Sequence, residues 1–225
     1  MSTVRPSPGR SDALVDSAVV ARVVRKVPLA KKEWIGKSML AGWIVVTLVG
    51  VATLSIKHMA SLPVPADEAL LSRAMLQLRR NSSRNFLVHV IYAECSCSRA
   101  LFAHLLARRP FQSAEEAILF VGADPNKRES AKRAGFTFTT VSAEELAFRF
   151  GLEAAPVLIV FDSAGQLRYA GGYYDHPATI TPLDEKIYGQ VAKGAKVEPF
   201  PVFGCAVSAR LQESLSPLGA VYSRH

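Results

Sequence analysis

The sequence predicts an α/β domain on a mixed sheet with flanking helices, preceded by one apolar transmembrane helix. Three observations point there. Apolar, β-branched runs alternate with stretches of helical periodicity from Asp67 to Phe150, a hairpin pattern follows between Val157 and Gly171, and Ser38 to Ile56 runs 19 residues without a charge.

Residues 1–37 hold eight Lys/Arg against three Asp/Glu and few large apolar side chains, so a disordered cytoplasmic basic tail is expected there. Within it, Val20–Val27 is a short basic stretch suited either to anionic lipid or to setting topology. At 1.5 Å per residue, 38–56 matches the roughly 30 Å of bilayer hydrocarbon. Trp43 and the flanking Lys37 and Lys57 suit interfacial positions. The basic excess upstream puts the N-terminus inside and the rest of the chain outside, in a bacterial-type envelope. A cleaved signal peptide is the competing reading; the long basic region and the prolines ahead of the apolar run favour an uncleaved anchor. Residues 57–66, with Pro63 and Pro65, read as a stiff spacer lifting the domain off the membrane.

The domain is expected over 67–197. Asp67–Arg80 has helical spacing (Leu70, Leu71, Ala74, Met75, Leu78), with acids first and arginines last, as the helix dipole favours. Phe86–Ala93 and Ala117–Ala123 read as buried strands. Between them Ser98–Arg109 is helical until Pro110 stops it. Pro125–Ala134 is a helix with Pro first and Gly135 after it, and Phe136–Val141 a short strand. Ser142 and Glu145 form a capping box for a helix through Phe150. VLIVF (157–161), a turn at Ser163–Gly165 and LRYAG (167–171) make a β-hairpin. Leu183–Ala195 is the closing helix. Residues 198–225 read as a tail with Pro199, Pro201, a Gly204-Cys205 step and a short helix over Ala206–Leu215.

The formal net charge is +8, but residues 1–37 supply +5 of it. The remainder is balanced as in ordinary soluble domains, which removes the reason to expect a nucleic-acid partner. Three cysteines are too few for a disulfide scaffold, so their placement carries the information.

In YAECSCSRALFAHLL (Tyr92–Leu106) a buried strand ends, Cys95 and Cys97 follow, and a helix begins. A thiol in a first helical turn is held toward thiolate by unsatisfied amides and the positive dipole end; Arg99 adds charge nearby. A C-x-C disulfide closes a small ring and should be easily reduced. Glu94 beside Cys95 would oppose activation by raising the thiol. His89 reads as a core histidine, His104 as two turns from the thiols, and Asp175-His176 as a polar loop. No Gly-rich phosphate loop is present, so no organic cofactor is expected.

From about Asn85 to Tyr174 the chain resembles the thioredoxin superfamily. The resemblance rests on YAECSC after the first central strand, AAPVLIVF with Pro156 opening the next, and the hairpin closing on Gly171-Gly172. It implies a cis Pro156 opposite Cys95, with Ala155 and Pro156 shaping a substrate groove, and activity as a membrane-tethered envelope thiol-disulfide oxidoreductase acting on protein or small-molecule disulfides. The chain departs from the family in having C-x-C in place of C-x-x-C, and Glu94 in place of Trp. Two alignments follow. Either Cys95 and Cys97 are the redox pair, or CSCS is a C-x-x-S motif in which Ser98 stands at the second thiol and Cys205 supplies the resolving sulfur. Two alternatives stand beside exchange: a copper or zinc chaperone or sensor using Cys95, Cys97 and Cys205, and a non-catalytic adaptor.

Overall fold

The computed structural model describes residues 29–59 and 61–215. The tail expected over 1–28, with its basic Val20–Val27 stretch, and the last ten residues lie outside them. The chain divides into two units near Leu54, and each is described by itself.

In the first unit, helix α1 spans Leu29–Met59 and so exceeds the 19 uncharged residues at both ends. Its Trp34–Ala52 segment has the length and apolar composition of a membrane span or signal segment. Trp34, Met39, Trp43, Val46 and Leu48 are all exposed. The hydroxyls of Ser38 and Thr47 donate to the carbonyls of Trp34 and Trp43, both at 2.9 Å, so each is satisfied within the helix.

The second unit opens with α2 (Glu68–Leu76), N-capped by Asp67, whose carboxylate accepts from the Leu70 amide. The helix stops four residues before Arg80 because the Arg79 guanidinium turns back, donating to the carbonyls of Asn81, Ser82 and Ser163. Strand β1 (Asn85–Tyr92) leads through α3 (Ser96–Arg108) to β2 (Ala114–Val121), and α4 (Pro125–Ala134) leads to β3 (Thr137–Val141). After α5 (Ala143–Phe150), Ala154–Ala155 form the two-residue β4, and β5 (Val157–Phe161) and β6 (Leu167–Gly171) form the hairpin. Helix α6 covers Asp184–Val191, shorter than the expected 183–195 because the Lys193 and Gly194 amides turn back onto Gln190 and Val191. Cys205–Ala206 (β7) and α7 (Ala209–Leu215) follow.

The main sheet has the order β3-β2-β1-β5-β6. β1, β2 and β3 are parallel, β5 is antiparallel to β1, and β6 antiparallel to β5. Two parallel crossovers through helices followed by an antiparallel hairpin on the other side of β1 make this a thioredoxin-like mixed sheet with flanking helices. Side chains alternate between two cores. Phe86, Val88, Val90, Val157 and Ile159 face α2 and α5, while Leu87, Ile91, Leu158 and Val160 face α3, α4 and α6. Burial on both faces is why the central strands read as unbroken apolar runs, each fully buried large side chain contributing about 1.5–3 kcal/mol.

Two segments expected as spacer and tail are part of this unit. Leu62 is buried and forms an antiparallel bridge with Val202, its amide donating to the Val202 carbonyl at 2.8 Å. Val202, Ala206 and Val207 are buried in turn. The Pro-punctuated run from Phe200 to Val207 is therefore a fitted strap across the domain.

Candidate redox site

The site forms where β1 gives way to α3. The Cys95 amide donates to the Tyr92 carbonyl, and the Arg99 amide donates to the Cys95 carbonyl at 3.0 Å, closing the first turn. Cys95 is thus the N-cap of α3, with extended backbone and no side-chain cap hydrogen bond. An Asp or Ser at this position would accept from the first-turn amides; the sulfur makes no such bond. The Cys95 side chain is fully buried, with Sγ 3.9 Å from the carbonyl oxygen of Ala155. The Ala155–Pro156 peptide bond is cis, and both residues are buried.

Cys205 completes the site from 110 residues further along. It is disulfide-bonded to Cys95, with the two Cα atoms 5.9 Å apart. Its backbone is held as well: β7 pairs antiparallel with β4, Cys205 opposite Ala155 and Ala206 opposite Ala154. The Val207 amide donates to the Glu153 carbonyl at 2.7 Å, and Gly172 donates to the Phe200 carbonyl at 2.9 Å. At Gly204 a Cβ would lie 2.6 Å from Pro156 Cδ and closer still to the Ala155 oxygen, so only glycine lets the strap pass this near the proline.

Cys97 stays outside this pair as an exposed free thiol on the outer face of the first turn. The linkage joins Cys95 to the sulfur of the C-terminal segment. The close C-x-C disulfide is absent from this state, and Ser98 occupies the buried position one turn on. The Ser98 hydroxyl, named with Arg99 as a thiolate-stabilising group, accepts from the Tyr92 amide at 3.1 Å and ties the strand end to the helix start. Arg99 is exposed. Burial, then the charge of Cys97, raises the Tyr174 phenol above its ordinary value. Among the described residues no cluster of three potential metal ligands occurs.

The remaining polar residues sort clearly. Glu94 is exposed and accepts from the Tyr92 hydroxyl at 3.1 Å. Asp175 and His176 are exposed loop residues bonded to Thr179 and Ala178. His89 is fully buried between the Tyr173 hydroxyl and Glu116, each at 2.7 Å. Glu116 is bridged by Arg108 at 2.7 Å, and Arg108 and His104 both reach buried Asp184. Burial alone would raise the Glu116 carboxyl, but hydrogen bonds and charge from His89 and Arg108 outweigh it and lower the group to about 2. This chain from His89 to Asp184 clamps α3 and α6 to the sheet, and the sequence alone did not disclose it. The available signal was Glu116 at the head of an apolar run, eight residues after an arginine.

Among known proteins, no family model and no curated sequence matches the chain. Solved structures do match. A hypothetical protein of Sinorhizobium meliloti is 21% identical, with TM-score 0.42, covering 57% of this chain and 82% of that one. A thioredoxin-like protein solved in its oxidised form is 21% identical with TM-score 0.41, covering 50% and 80%. A secreted disulfide oxidoreductase of Mycobacterium tuberculosis is 14% identical with TM-score 0.35, covering 61% and 97%.

Proposed function

We propose that the chain is a membrane-anchored thiol-disulfide oxidoreductase whose domain works outside the cytoplasmic membrane. The observation that carries this is the joining of Cys95, at the start of α3, to Cys205 beside cis Pro156. Residues 1–37 would be the cytoplasmic tail, 38–56 the span and 57–66 the approach to the domain, with 198–215 completing the site rather than trailing from it.

In the reduced protein, Cys95 thiolate attacks one sulfur of a protein or small-molecule disulfide. That S–S bond breaks, the electron pair leaves with the substrate's second sulfur as thiolate, and Cys95 holds the other as a mixed disulfide. Cys205 thiolate then attacks the Cys95 sulfur, expels the bound substrate thiolate and closes Cys95–Cys205. The substrate gains two electrons and the protein dithiol loses two. The first-turn amides and Arg99 lower the cost of the Cys95 anion, and Ala155 and Pro156 wall the groove. Cys97 lies outside the redox couple. Exchange is favoured over metal capture because Cys97 is exposed while its two supposed co-ligands are bonded to each other.

The test is reduction of a protein disulfide by the full chain in detergent, supplied with dithiothreitol. Wild type should accelerate the reaction, and Cys95→Ser should abolish the acceleration. Equal rates with and without the protein would dismiss an exchange enzyme in favour of an adaptor. Protease added outside intact spheroplasts should digest the domain; full protection would contradict the orientation.

A further inference from the structure

Cys95 has no exposed surface, whereas Cys205 on the strap is half-buried. The strap is fixed at each end of the run that covers Cys95. Its Phe200 carbonyl accepts from the Gly172 amide, its Val202 carbonyl from Leu62, and its Val207 amide donates to Glu153. Between these points Gly204 and Cys205 cross Ala155 and Pro156 at a separation no side chain could enter. In the disulfide state the chain's own residues therefore occupy the strip through which another molecule would reach Cys95.

We infer that the strap Phe200–Val207 is a redox-operated cover, and that an incoming thiol opens it by attacking the Cys205 sulfur, never Cys95. This deepens the exchange reading and rests on it. An external thiolate, such as that of a cysteinyl peptide or glutathione, attacks Cys205 Sγ in line with the Cys205–Cys95 bond. That bond breaks and its electron pair goes to Cys95 Sγ, where the amides of the first turn of α3 receive the charge. The strap now carries the mixed disulfide. A second thiolate attacks the external sulfur of that mixed disulfide, releases Cys205 as thiolate and leaves as an external disulfide. Two external thiols have been oxidised and the protein disulfide reduced. The strap loses its covalent hold with the first break, and the completed dithiol exposes Cys95 to a substrate disulfide. The two cysteines thus divide the work: Cys205 receives electrons from the reductant, and Cys95 delivers them to the substrate.

The experiment uses the oxidised full chain in detergent, mixed with glutathione, quenched in acid at early times and mapped without reduction. Glutathione should appear on Cys205 first, in roughly tenfold excess over Cys95. First appearance on Cys95 or Cys97 would overturn the inference while leaving exchange itself intact. A Cys95–Cys205 peptide that survives both glutathione and dithiothreitol would overturn the exchange reading as well. Amide exchange on the wild-type chain reads the cover directly. Reduction should speed exchange at Gly172 and Val207 by tenfold or more, on the order expected for release of a local contact, with β1 unchanged. Identical protection in both redox states would overturn the cover.

Discussion

Cys205 lies opposite Ala155 in an antiparallel ladder, and that register brings its sulfur onto Cys95. The strap's backbone pairing and its covalent bond therefore support one another. Removing either should be felt in the other.

Cys205→Ser removes a crosslink joining positions 110 residues apart. Loop-closure entropy returned to the unfolded chain should lower stability by about 2–4 kcal/mol. Urea midpoints of oxidised wild type and the variant, in the same detergent, measure this, and coincident midpoints would contradict it.

Cys97→Ser leaves the linked pair untouched. Titration of native thiols should fall from one per chain to none, while exchange activity stays within about threefold of wild type. Loss of activity would return Cys97 to the role of resolving thiol.

Gly172→Ala places a methyl group against the Pro201 carbonyl and 3.1 Å from Val202 Cα. The strap must shift, at a cost of about 1–3 kcal/mol. Differential scanning calorimetry should show the loss, and alkylation of Cys95 after reduction should be faster than in wild type.

Glu116 has its folded pKa depressed to about 2 from 4.5, so its contribution to stability is complete above the unfolded value. That contribution is lost as pH falls from about 4.5 toward 2. Glu116→Gln leaves Arg108 and His89 short of their anion and should cost roughly 3–5 kcal/mol at neutral pH. Between pH 4.5 and 2 the variant's stability should fall less steeply than that of wild type. Parallel acid limbs in denaturant titrations at several pH values would contradict this.

The elements legible in the sequence are those whose cause is local. Pro125 at the start and Gly135 past the end, Ser142 with Glu145, and the Ser163–Gly165 turn act locally, and α4, α5 and the hairpin fall where they indicate. The start of β2 was hidden because Glu115 and Glu116 look like surface charges. Glu115 accepts from the Arg80 and Asn81 amides, and Glu116 is neutralised by partners from β1 and α3. The strap was hidden for the same reason. Pro199, Pro201 and Gly204 read as loop, and nothing local reveals that Leu62, Ala155 and Gly172 supply its hydrogen-bonding partners. At the site, Cys95 was legible from its place at a strand-to-helix switch. Which sulfur it joins was open, because that depends on a register set far away in the chain.

The reduction potential of the Cys95–Cys205 couple, read by equilibrating the full chain in thiol-disulfide buffers and quantifying alkylated peptides, separates a catalytic disulfide from a structural one. A catalytic couple should titrate reversibly as a two-electron pair above about −270 mV. A value below about −300 mV, where structural disulfides of secreted proteins lie, would contradict the account.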